Sequence, residues 1–226
     1  MKILSKKINS SKLRLVAIVM VVAVSLAVAV AFMFMRTPAR YKPAHPENAD
    51  KVSPYLTNYL APEIYNNVQL DAPFDLIITE EGLNDIIARD IWPQKAGGDN
   101  FYAPSVAFEN GTIYLMGKVN YSRLPVVMTI VARAKLNPDG KIQINIETIK
   151  AGIVDITPFA MGRAEGILTD RVKDAGDRSW LADLSDALMK NAPIDPIFTV
   201  SAHKRQVRLT AIKIQEDVLT LTLKPQ

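Results

Sequence analysis

The chain has no cysteine and only two histidines in 226 residues. The first absence excludes disulfides, thiolate catalysis, structural zinc on sulfur and a lipidated N-terminal cysteine, so packing alone must hold the fold. The second leaves little for acid–base or metal chemistry. His45 lies in a proline-rich stretch, which leaves His203 as the histidine available to a Ser-His-Asp arrangement. No G-x-S-x-G sequence supplies a nucleophilic serine. Phosphate loops are missing too, because "KAGG" at 95–98 and "GRAEG" at 162–166 lack the Lys-Ser/Thr ending. "DAGD" at 174–177 reads as a polar loop, and Asp183 and Asp186 sit at helical spacing on a solvated face. The expectation is a non-enzymatic protein with no cofactor and no metal. A hydrolase using His203 is the remote alternative.

A basic surface is missing from most of the chain. The net charge is +4, yet Lys2, Lys6, Lys7, Lys12, Arg14 and Arg36 all fall in the first 36 residues, where no acid occurs. The other 21 Lys and Arg face 23 Asp and Glu, a net of −2, so a nucleic-acid footprint is excluded.

The cations flank an apolar run. "LVAIVMVVAVSLAVAVAFMFM", Leu15 to Met35, is 21 residues without a charge. As a helix it spans about 31 Å, the thickness of a bilayer's hydrocarbon core. Five cations precede it, so the positive-inside rule places the N-terminus in the cytoplasm. The expected organisation is a basic cytoplasmic N-terminus (1–14), a transmembrane signal-anchor helix (15–35), a proline-rich spacer (36–70) and an extracytoplasmic domain (71–226), single-pass in the cell (inner) membrane. "AVA" at 29–31 offers the competing reading of a cleaved signal peptide, but the run is longer than such segments require. Pro38, Pro43, Pro46, Pro54 and Pro62 favour an extended spacer.

Beyond the spacer, "PFDLIIT" at 73–79 reads as a strand entering a helix, with Thr79 as cap and Glu80 and Glu81 in the first turn. Leu83, Ile86 and Ile87 line one face of that helix, and "KAGGDN" at 95–100 reads as a loop. Asn110-Gly111 between two strand-like runs predicts a hairpin. Asn137-Pro138-Asp139-Gly140 predicts a second. On its first arm Val126, Met128, Ile130, Ala132, Ala134 and Leu136 share a face, opposite Thr129, Arg133 and Lys135. On the return arm Ile142, Ile144 and Ile146 alternate with polar residues. "DITPFAMGRAEGILTDRVKDA" and "SWLADLSDALMKNA" read as helical, the second with a Leu181, Leu184, Leu188 stripe. The C-terminal "PIFTVSAHKRQVRLTAIKIQEDVLTLTLKP" supplies two or three more strands. The fold class is α+β: a long antiparallel, curved sheet with covering helices.

"FDLIITEEGLNDII", "VAFENGTIYLMGKV" and "VVMTIVARAKLNPDGKIQINIETIKAG" resemble small membrane-anchored bacterial proteins of the YpmS type. More distantly the pattern is similar to tubular lipid-binding (TULIP-like) domains. The resemblance runs from residue 73 to about 160, and "AGIVDITP" departs from it at Asp155. It implies a helix lying along a curved sheet around an apolar groove, and no catalytic residues.

The leading expectation is therefore an outer domain that binds a lipid or other apolar ligand, with Met128, Ile130, Ile142, Ile144 and Ile146 lining the groove. The bland alternative makes these residues ordinary core. A third possibility is a protein-interaction or scaffold component of an envelope assembly, recognising a protein partner. Lys204, Arg205 and Arg208 form the domain's basic cluster, read either as charge protecting a strand edge or as a contact to anionic headgroups.

Overall fold

The computed structural model describes residues 10–90, 92–96, 99–121, 124–162, 187, 190–200 and 205–226. Lys204, His203, the 174–177 loop, Asp183, Asp186 and the leucine stripe at 181–188 lie outside them.

Helix α1 (Ser10–Met35) carries the apolar run. Its Ile18–Met35 window is long and apolar enough to cross a membrane, a property that anchors and signal sequences share, and none of it is buried against the rest of the protein.

The remainder is α+β, with two antiparallel sheets. Strands β2 (Gln94–Ala96), β3 (Asp99–Glu109), β4 (Thr112–Tyr121), β5 (Leu124–Leu136), β6 (Ile142–Ala151) and β7 (Val154–Asp155) form a six-stranded meander in chain order. A second sheet has the order β1 (Phe74–Thr79), β10 (Val218–Pro225), β9 (Arg205–Gln215), β8 (Ile197–Val200). The strands are thus divided between two sheets, because β1 pairs with the C-terminal strand instead of joining the meander.

Local chemistry explains the junctions. Thr79 adopts an extended conformation and its hydroxyl accepts from Gly82 N at 3.1 Å, starting α3 (Glu80–Ala88). Asn110 and Gly111 take φ values of 39° and 84°, the left-handed pair that a tight twisted hairpin needs. Residues 94–96 pair with 99–101 as a short hairpin, which corrects the expected loop at 95–100.

One irregularity organises the meander. Even-numbered residues of β5 from Val126 to Leu136 share a face with Ile149 and Ala151 of β6, and also with Ile142, Ile144 and Ile146. That is possible only because the register shifts between Val131 and Ala132, where Glu147 is an extra residue on β6. The bulge brings both halves of β6 onto one apolar face.

The second sheet and α3 cover the end of that face carrying the two hairpin turns. Ile142 is buried with Leu60, Leu76, Leu209 and Leu223. Leu83 and Ile87 of α3 pack against Val106, Phe108 and Ile214. The α3 helix also closes the outer edge of β3. Asn84 donates to Val106 O at 2.8 Å and accepts from Val106 N at 2.6 Å, Glu80 accepts from Phe108 N, and Asp217 N donates to Phe108 O.

The segment expected as a spacer belongs to the fold. Tyr41, Ser53, Leu60 and Val68 are all buried. Residues Leu56–Leu60 form a π-helical turn leading into α2 (Ala61–Asn67), with Pro62 in the first turn, where a missing N–H costs nothing. Ser53 donates to Asp85, and Arg89 bridges Asp85 to the carbonyls of Asn48 and Lys51. The Arg89 hydrogen bond, with help from Ser53, holds the Asp85 carboxyl below its usual range. Proline density there serves turns and helix starts within a packed wrap.

Candidate ligand cavity at the end of the apolar helix

The five candidate groove residues do share a face of the meander. They differ in what they touch. Ile142 is core, and Ile144 packs against the same cluster, so protein fills the space beside this pair. Met128, Ile130 and Ile146 are half-buried. Beside Ile130, Leu115 is 43% exposed, so this face is less fully covered toward its other end.

The basic cluster sits elsewhere. Lys204 is outside the described residues. The Arg205 guanidinium donates to Val68 O at 3.1 Å and pairs with Asp71, tying β9 to the end of the wrap. Arg208 is exposed opposite Lys224. Its neighbour Leu209 packs on Ile142, at the hairpin end of β6.

That end is remote from α1. The helix meets the meander at the β6–β7 turn, where Ile153 N donates to Met33 O at 3.2 Å. Gly152 has φ +59°, and a Cβ there would collide with the carbonyl oxygens of Phe34 and Met33, so backbone touches backbone. Gly152 N also donates to Val127 O. From Val127 to Leu136 the strand rises about 30 Å.

A cavity of about 230 Å³ opens beside this junction, on the reverse face of the meander. Met116, Thr129 and Val131 supply the sheet wall, and residues 38–40 cross over it as a strap. Lys150 and Ile153 complete the lining on the β6–β7 side. Thr129 is 4% exposed, and its hydroxyl finds no hydrogen-bond partner among the described residues. An orphaned buried hydroxyl is uncommon and marks a place where a polar ligand atom would be welcome.

The strap is held by specific contacts. Tyr41 is buried with Ala107, Met116 and Val127, and its hydroxyl donates to Ala103 O at 2.6 Å. Burial, with a smaller contribution from Tyr102, pushes its pKa up to about 12. Arg40 makes a bidentate pair with Glu109 and lies 4.8 Å from the centre of the Tyr114 ring. On the other rim, Lys150 stands across from Asp155, whose carboxyl is held low by hydrogen bonds from Thr157. The arrangement is amphiphilic: apolar walls, one unpartnered hydroxyl and a cation on each rim.

Sequence reading missed this cavity because Thr129 and Lys150 lie on the polar side of the alternation, which period alone assigns to water. The available signal was the run of Val127, Thr129 and Val131, too apolar for a solvated face. Among the described residues no group of three His, Asp or Glu gathers in a way that would hold a metal ion.

No protein-family model matches the chain, and comparison with curated proteins finds no match. Among solved structures, a crystal structure of lipopolysaccharide binding protein aligns with 11% identity over 78% of this chain, at a TM-score of 0.25. The alignment spans 49% of that protein's own length. A likeness at that level carries no argument about fold or ligand.

Proposed function

We propose that this is a membrane-anchored, single-pass protein whose folded part lies outside the cytoplasm and holds a lipid-like amphiphile at the bilayer surface, without catalysing a reaction. The observation that carries the reading is the cavity between the 38–40 strap and the sheet. Its apolar walls, unpartnered Thr129 hydroxyl and flanking Arg40 and Lys150 open beside the last turn of an apolar helix. Its volume of about 230 Å³ lies below the roughly 300–1,000 Å³ of sites that enclose a drug-sized ligand. The ligand is therefore held by one part, with the rest left in the membrane or in solvent. Met128 and Ile130 belong to the reading as the apolar strip beside the exposed Leu115 on the reverse side of the same strand.

A photoactivatable phospholipid, carrying a diazirine in one acyl chain, tests this on the full chain in vesicles. Strand period separates the two faces: labelling at residues 129 and 131 reports the cavity, and labelling at 128 and 130 reports the strip. The expected outcome is labelling at 129 and 131 that Ala39→Trp, which fills the cavity from the exposed strap, abolishes while α1 stays labelled. Labelling confined to α1 in both proteins would overturn lipid binding and favour the envelope-assembly role.

A further inference from the structure

The most exposed large hydrophobic side chain among the described residues is not in α1. It is Phe159, 84% exposed, while the exposed large apolar residues of the α1 window range from 42 to 72%. Such a ring on a loose tip would be unremarked, but this one stands on a fixed turn. Ile156 N donates to Ile149 O at 2.8 Å, anchoring the segment to β6. The Asp155 carboxylate accepts from both Thr157 N and Thr157 Oγ1, starting a helical turn in which Phe159 N and Ala160 N donate to Ile156 O. Ordering a backbone in order to present a phenyl ring to water has no stabilising return.

The position of this turn indicates what covers the ring. The adjoining β6–β7 turn is hydrogen-bonded to Met33, two residues from the end of α1 and inside its apolar window. Ile149, to which the Phe159 turn is tied, is three residues from Gly152 along β6, about 10 Å. One helical turn adds about 5 Å more. Phe159 therefore lies within about 15 Å of the point where α1 leaves its apolar span, near enough for the ring to reach the headgroup layer, about 5–8 Å thick, that borders the hydrocarbon core. Ile153, 40% exposed, lies at the contact itself. Arg36 and Lys150 are close in sequence or structure to the same junction, and they suit an anionic headgroup layer.

We infer that Phe159 is a second membrane contact: a foot inserted into the same bilayer that α1 spans, which sets the orientation of the domain on the surface. The occupant of this apolar patch is the lipid bilayer. The inference rests on α1 being an uncleaved anchor but is independent of any ligand in the cavity. A two-point attachment fixes tilt and rotation, which a single helix leaves free, and so keeps the cavity mouth against the membrane.

The absence of cysteine makes the test direct, since one introduced thiol is unique. Phe159→Cys, Asp139→Cys at the remote hairpin and Leu26→Cys in α1 are each labelled with an environment-sensitive nitrobenzoxadiazole probe in the full chain. The proteins are reconstituted into phosphatidylcholine–phosphatidylglycerol vesicles with brominated acyl chains. The expected result is a blue-shifted, bromine-quenched probe at 159 and at 26, and a water-like, unquenched probe at 139. A probe at 159 as wet as that at 139, with 26 quenched, overturns the foot and leaves the anchor standing. An unquenched probe at 26 overturns the anchor and the foot together.

Discussion

Tyr41 is the residue that binds the strap to the sheet. Its ring is buried and its hydroxyl reaches a backbone carbonyl, so Tyr41→Phe removes one hydrogen bond while keeping the packing, at a cost of about 1 kcal/mol near neutral pH. The pH dependence is more telling. Its pKa rises from 10.0 unfolded to about 12 folded, so this stabilisation is complete below pH 10 and is lost as pH rises toward 12. Denaturant midpoints of the detergent-solubilised protein should fall between those pH values in the wild type, and less steeply in Tyr41→Phe. Parallel slopes would show that the hydroxyl is not buried.

At the scale of elements, α3 acts as the missing neighbour of β3. An outer strand edge normally presents a row of unpaired N–H and C=O groups, a template for association with other chains. Here Asn84 satisfies both groups of Val106, while Glu80 and Asp217 satisfy those of Phe108. Asn84→Ala leaves a buried donor and a buried acceptor without partners, which costs about 2–4 kcal/mol. Chemical denaturation measures the loss, and hydrogen exchange should show the Val106 amide opening before the rest of β3. An unchanged midpoint would mean that the Asn84 bonds add nothing to what Glu80 and the packing of Leu83 and Ile87 already supply.

For the whole molecule, the decisive joint is the seat of α1 on the β6–β7 turn. Gly152 is where two backbones meet, and any side chain there collides with the carbonyls of Met33 and Phe34. Gly152→Val should lift the helix end and the strap that follows it while leaving the buried core of Ile142, Leu209 and Leu223 intact. Trypsin reads this out: cleavage after Arg36 and Arg40 should be faster in the variant, with thermal stability of the domain lowered by only the local strain of about 1–3 kcal/mol. Equal cleavage rates would show that the helix and domain are not docked.

Much of this architecture is local and could be read from the residues. The uncharged run to Met35, the Thr79 cap, the hairpins at Asn110-Gly111 and 137–140, and the shared face of Met128, Ile130, Ile142, Ile144 and Ile146 each follow from chemistry within a few positions of the chain. The tertiary structure alone decided what lies opposite each face. It paired β1 with β10, wrapped residues 38–68 around the sheets, put protein against Ile142 and Ile144, and placed the cavity on the side that alternation marks as wet. The physical reason is that side-chain period records on which side of a strand a residue points. What fills the space on that side is set by contacts between segments far apart in sequence, and by volume, neither of which a periodic pattern contains.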